Sequence, residues 1–277
     1  MAAALDTNLP GWDTLTGTGY TPGSLLSFWV LVGVGVIGLP QTAVRGMGFK
    51  DTKSLHSAML IGTIAAGVLM IGMHVGGAWA GALIGGQEFA SSDYVIPAVI
   101  QQIMPASVAG IFLAAPMAAV MSTVSSLLIL ASASIVKDLW GTYIVKDDPE
   151  KKAKFQKNLS KSSFAVTLLI GILVFVLTLT PPDIIFWVNL FAMGGLECCF
   201  FWPIVGGVFY KKGNKEAAIA SSMIGVLVYV ISYQFKLTVW GVNSVVWGLL
   251  IGGIVYFTVG RMTCKNGLDA DVLEKCF

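Results

Sequence analysis

Apolar residues in this chain run on for twenty or more positions, and the polar residues gather in short stretches between those runs. A bilayer core of roughly 30 Å takes about 20 apolar residues as a helix, because only helices or closed barrels satisfy every backbone group there. Seven segments reach that length, at residues 25–44, 57–82, 108–136, 162–180, 184–209, 217–235 and 239–260. They are too long and too unalternating for barrel strands, which show stretches of about ten residues with alternating polarity. The pattern predicts an all-α, polytopic membrane helix bundle of about seven transmembrane helices.

Composition narrows this further. Of 277 residues 56% are hydrophobic and 12% charged, about half the charge of a soluble domain. Residues 94–136 contain no Asp, Glu, Lys or Arg at all. A net charge of +2, with the basic residues set between apolar runs, gives no basic face for nucleic acid. Those residues report topology instead. Arg45, Lys50 and Lys53 follow the first span, seven lysines in 137–161 follow the third, Lys211, Lys212 and Lys215 the fifth, and Arg261, Lys265 and Lys275 the seventh. Lys236 is the single basic residue on the other side, so the bias predicts a cytoplasmic C-terminus. Seven spans then put residues 1–24 outside as an extracellular segment, followed by a membrane domain over 25–262 and a cytoplasmic tail over 263–277. Residues 1–24 hold neither a basic n-region nor an apolar h-region of a signal peptide. An odd number of helices upstream is therefore expected, with Met1 an internal start or an imposed boundary.

The interruptions within the spans carry the chemistry. Gly33, Gly35 and Gly38 formally match GxGxxG, but no strand precedes them, which argues against a dinucleotide site. Two readings stand there: close packing through small residues with a kink at Pro40, or a discontinuous helix that opens its backbone to a ligand. In the third span Ser122 and Thr123 lie three and four residues after Ala119, so their hydroxyls reach back to its carbonyl on one helical face. Three neutral oxygens can hold sodium without trapping it; ordinary back-bonding in a membrane helix is the other reading. Glu197 is the one carboxylate deep within a span, and burying its charge costs several kcal/mol, which makes it a candidate functional residue or else a protonated or paired structural one. His74 reads as a hydrogen-bonded core residue. Phe186, Trp187 and Asn189, after Pro181-Pro182, read equally as interfacial anchors. The four cysteines have neither CxxC nor metal spacing, and no nucleophile–base constellation is present, so no catalytic residue, metal centre or organic cofactor is assigned.

Several stretches then carry a resemblance. Ser27-Phe28-Trp29-Val30-Leu31-Val32, Val36-Ile37-Gly38-Leu39-Pro40, Thr42-Ala43-Val44-Arg45, Ala109 through Ala119 running on to Met121-Ser122-Thr123, and Gly194-Gly195-Leu196-Glu197 resemble the sodium:solute symporter family, within it the members that carry pantothenate. The likeness extends from about residue 25 to 261. It implies part of a five-plus-five inverted-repeat fold of the leucine-transporter type, in which sodium and substrate bind beside two broken helices near the midplane. The first span would be the second broken helix. Ala119, Ser122 and Thr123 match the family's sodium-binding Ala-x-x-Ser-Thr pattern, and Trp29, Gln41, Thr42 and Glu197 are substrate-binding candidates by location. The implied function is sodium-coupled symport of pantothenate across the bacterial inner membrane, with sodium as coupling ion, pantothenate and the lipid bilayer as partners, and no nucleic acid. Complete members have about a dozen or more spans, so the chain by itself is expected not to transport. Other readings are a symporter for another small solute, a structural membrane subunit, or a seven-helix receptor. Against the receptor stand the absence of a lysine in 239–260 for a retinal Schiff base and an outer loop of about 25 residues that better suits a transporter's lid.

Overall fold

The computed structural model describes residues 20–84, 91–145, 148–179, 185–237 and 239–264, with the single positions 14, 87 and 89. All secondary structure among them is helical. The chain divides into two compact units, Met1–Glu88 with Phe186–Phe277, and Phe89–Ile185.

In the first unit the entry to the membrane is fixed by a capping box. Thr21 accepts from the Ser24 N–H at 3.2 Å, Ser24 Oγ accepts from the Thr21 N–H at 2.9 Å, and Pro22 occupies the first turn, where its missing N–H costs nothing. Helix α1 spans Pro22–Trp29 and loosens into a π-helical turn at Val30–Val34 and a 3₁₀ turn at Gly35–Gly38. Leu39 is extended (φ −76°, ψ 123°), and Pro40 opens α2, Pro40–Met47, bent by 48° from what precedes it. Proline restrains its predecessor to extended backbone, so the break falls at Leu39. Helix α3, Thr52–Ile84, completes the N-terminal part of this unit.

The C-terminal part packs three helices closely: α7 (Ile185–Phe209), α8 (Lys215–Gln234, capped by Asn214, whose Oδ1 accepts from the Ala217 N–H at 2.8 Å) and α9 (Ser244–Thr263). Lipid is as apolar as leucine, so shape and hydrogen bonds rather than burial hold such helices together. The shape comes from glycine. A Cβ at Gly225 would strike the Cys198 carbonyl at 2.7 Å, and one at Gly253 the Trp202 ring at 2.6 Å. The bonds follow, Trp202 Nε1 donating to the Leu249 carbonyl at 2.6 Å, Ser222 Oγ to Cys199 at 2.6 Å and Tyr229 OH to Phe191 at 3.0 Å. Leu31 of the π-helical turn joins Cys198, Phe201, Tyr229, Val245 and Leu249 in the core of this cluster, so the broken span is seated on α7–α9.

The second unit holds α4 (Val95–Ile103), α5 (Ala106–Ala133), a π-helical continuation at Ser134–Val145, and α6 (Pro149–Thr178). Ser132 Oγ donates to the Ser163 carbonyl at 2.9 Å and ties α5 to α6.

Among the described residues six helices are long and apolar enough to cross a bilayer, and the bent pair Pro22–Gly38 and Pro40–Met47 supplies a seventh if it counts as one span. Three local expectations need correction. The connection 83–107 contains helix α4, and its short apolar run was too brief to register as a span. The lysine-rich segment 137–161 is helical over 137–145 and again over 149–161, where Asp148 accepts from the N–H groups of Glu150 and Lys151, Pro149 sits at the first position, and the Lys, Glu, Gln and Ala that follow are strong helix formers. The last helix begins at Ser244 rather than 239, since Trp240 and Gly241 take positive φ (56° and 72°) and form a separate turn.

Candidate functional site

The structure resolves the glycine motif in favour of a discontinuous helix that is also closely packed. Gly33 faces open space, whereas a Cβ at Gly38 would stand 2.8–2.9 Å from the backbone of Phe201 on α7, and one at Gly35 would overlap the Glu197 carboxylate. Glu197 is fully buried, with both carboxylate oxygens lacking a hydrogen-bond partner among the described residues. Its side chain rests on the junction of the π-helical and 3₁₀ turns, where the backbone departs from regular α-helix. The carboxylate and the break are thus one feature of the first unit.

The other substrate candidates divide. Gln41 follows the break by two residues and buries an unpartnered Oε1. Thr42 is exposed, and Trp29 is 62% exposed and stands outside the lining of the cavity described next.

A cavity of about 490 Å³ lies elsewhere in the same unit, lined by Tyr20, Ser27, Phe28, His74, Tyr229 and Asn243 among others. That size suits a small organic molecule. Ser27 is fully buried, and its Oγ accepts from the Asn243 N–H at 2.8 Å, so it pins the start of α9 to α1. His74, expected in the core, is exposed, with Nδ1 2.7 Å from the Met70 carbonyl. Sequence reasoning missed this group because its residues, from Tyr20 to Asn243, come from segments far apart in the chain and line one cavity only after folding. The one available signal was the recurrence of hydroxyls at Ser24 and Ser27 in an apolar span.

In the second unit the predicted reach-back is present. Ser122 Oγ donates to the Ala119 carbonyl at 2.8 Å and Thr123 Oγ1 to the same oxygen at 3.3 Å. Ser125 and Ser126 repeat the pattern toward Met121 and Ser122, at 2.8 and 2.9 Å. Pro116 removes an N–H one turn earlier, which leaves the helix locally short of one backbone bond. A hydroxyl that donates keeps its lone pairs, so Ala119, Ser122 and Thr123 present three oxygens together. Among the described residues no cluster of His, Cys, Asp and Glu could hold a metal ion, and Cys198, Cys199 and Cys264 are free thiols. The side chains of Phe186 and Trp187, the tail from 265 and most of 1–19 lie outside the described residues.

Comparison with known proteins follows the same lines. The sodium:solute symporter family profile matches residues 2–225. The chain is 44% identical over 263 residues to a sodium/pantothenate symporter of Haemophilus influenzae, covering 93% of this chain and 53% of that protein. It is 40% identical over 253 residues to the sodium/pantothenate symporter of Escherichia coli, covering 91% and 51%. A sodium/proline symporter of Staphylococcus aureus is 28% identical over 276 residues, covering 96% and 52%. The chain therefore spans about half the length of the curated relatives it matches. No solved structure matches it significantly. With the profile covering most of its length, this chain belongs to the sodium:solute symporter family.

Proposed function

We propose that this chain contributes to sodium-coupled symport of pantothenate across the bacterial cytoplasmic membrane. The carrying observation is the gap in identity: 44% and 40% to relatives named for pantothenate, against 28% to one named for proline over a similar stretch. The geometry is consistent with it. Ala119, Ser122 and Thr123 supply a carbonyl and two hydroxyls to sodium, while Gln41 and Glu197 stand at the broken span, where unwound backbone can meet a polar solute. Trp29 and Thr42 belong to the same broken span, both exposed, and are substrate-binding candidates by location. Sodium entering with the solute favours the state in which both are bound, and that differential affinity drives the change of access.

Uptake tests the solute. Placing this chain in the Escherichia coli relative instead of its matching stretch is expected to retain sodium-dependent uptake of pantothenate, and not of proline or glucose, in cells lacking their own pantothenate carrier. Uptake of proline in place of pantothenate would refute the substrate while leaving the family intact.

The same reading places residues 1–24 outside, the membrane domain over 25–262 and the tail 263–277 in the cytoplasm, following the sixteen-to-one distribution of Lys and Arg. Lys152→Cys, with the native cysteines replaced, is expected to resist an impermeant thiol reagent in intact cells and to react after permeabilisation. Labelling from outside reverses the orientation.

A further inference from the structure

We propose that the cleft between residues 134–145 and the first turns of α6 is a binding site for the headgroup of an anionic phospholipid. This inference does not depend on the transported solute. The cleft encloses about 520 Å³ within the second unit. Its two walls differ in chemistry. Along α6, Lys151, Lys154, Asn158 and Lys161 follow one another at alternating steps of three and four residues, which is one helical face, and all four line the cleft. Opposite them, Trp140 and Ile144 of the π-helical continuation supply an apolar wall, with Phe155 between the two. The Phe155 ring lies 3.7 Å from where a Cβ at Gly141 would stand, an ordinary van der Waals distance, so the two segments lie side by side there.

Charge fits an anion. Asp148 pairs with Lys151 at 3.3 Å, and the Lys151 N–H that it accepts holds its carboxyl below the usual carboxylate range. One of the three lysines is thereby offset, and Lys154 and Lys161 leave the cleft with an excess of about two positive charges. The surroundings reinforce this: residues 150–161 hold five lysines against the single acid Glu150.

Position selects a lipid over a soluble anion. Residues 162–179 carry no charge, and eighteen residues of helix cover about 27 Å, close to the hydrocarbon thickness. Lys161 consequently stands at the membrane surface, Lys151 about 15 Å further out along the helix, and the cleft opens at headgroup depth. Ala165, which also lines it, lies on the apolar side of that boundary, so the cleft runs from charged to hydrocarbon surroundings. Trp140 suits the same layer, an aromatic with one polar edge. A phosphodiester between Lys154 and Lys161, Asn158 donating to its oxygens and an acyl chain descending past Ile144 and Ala165, uses every wall. Basic pockets beside membrane helices recognise anionic headgroups on these terms.

The test is retention of lipid by the full chain, purified from vesicles of equal parts phosphatidylcholine and phosphatidylglycerol and read by native mass spectrometry. Phosphatidylglycerol is expected to stay bound in preference to phosphatidylcholine. Lys154→Ala with Lys161→Ala should weaken that retention roughly thirty-fold, at the contribution typical of each lysine near a bilayer surface, whereas the paired Arg substitutions should keep it. Lys152→Ala with Lys157→Ala, on the same helix but outside the lining, should change it less than about three-fold on the same scale. Equal losses from both pairs would mean diffuse attraction by the basic segment and overturn the built site. Equal retention of the two lipids would also overturn it, as would displacement of bound lipid by inorganic phosphate at comparable concentration, which would make the ligand a soluble anion.

Discussion

Ser122→Ala and Thr123→Ala, each introduced into the transporting chimera, are expected to raise the sodium concentration for half-maximal uptake about ten- to a hundred-fold. Each substitution deletes one oxygen from a trio that converges on the Ala119 carbonyl at 2.8 and 3.3 Å. Inside a bilayer little water replaces a missing ligand, and losing a polar partner at such a site costs about 1–3 kcal/mol, which is a factor of ten per 1.4 kcal/mol. Ser122→Thr and Thr123→Ser keep the oxygen and are expected to stay near wild type, as is Ala119→Gly, which leaves the carbonyl. Surface expression is measured beside uptake, so that loss of protein is not mistaken for loss of affinity. An unchanged sodium dependence in both alanine variants would reduce the trio to helix back-bonding. That outcome has a structural rationale, because Ser125 and Ser126 make the same bonds to Met121 and Ser122, outside the matching pattern.

The spans were legible in the sequence for a reason specific to membranes. A bilayer imposes length and forbids charge, so among the described residues six helices and one bent pair fall close to the runs of apolar residues that predict them. The Ala119 trio was legible too, since residues three and four apart on a helix are neighbours before any tertiary structure forms. What the sequence left open was decided by contacts distant along the chain. Close packing and discontinuity at Gly33, Gly35 and Gly38 were separate readings, and the structure joins them: α7 brings Phe201 against Gly38 and Glu197 against Gly35. The bond from the Asn243 N–H to Ser27 Oγ, which helps shape the cavity in that unit, spans 216 positions. The helical start of α6 escaped notice for another reason. Polarity marked 149–161 as a connection, although Asp148, Pro149 and the residues after them carry a strong helix-start signal. Hydropathy reports solvent, and a polar helix outside the membrane looks like a loop to it.

Gly38→Ala is expected to destabilise the protein by about 1–3 kcal/mol and to abolish uptake in the chimera, while Gly33→Ala leaves both unchanged or slightly improved. The two glycines belong to one motif five residues apart, yet they meet different surroundings. A methyl group at Gly33 finds nothing within 4 Å. At Gly38 it would lie 2.8 Å from Phe201 Cα and 2.9 Å from its N and Cβ, well inside the 3.5–4.0 Å at which carbon atoms attract. Backbone in the middle of a membrane helix cannot swing aside as a side chain can. Either α7 moves off the broken span or the 3₁₀ turn shifts, and both disturb the junction on which Glu197 rests. Gly35→Ala falls between the two, because its neighbour is the end of a flexible side chain, and Glu197→Ala should relieve part of the cost in a double-mutant cycle. Thermal unfolding of the purified protein in lipid nanodiscs gives the order, Gly33→Ala most stable and Gly38→Ala least. If Gly38→Ala unfolds at the same temperature as Gly33→Ala, then the broken span is not packed against Phe201, and the site around Glu197 loses its foundation.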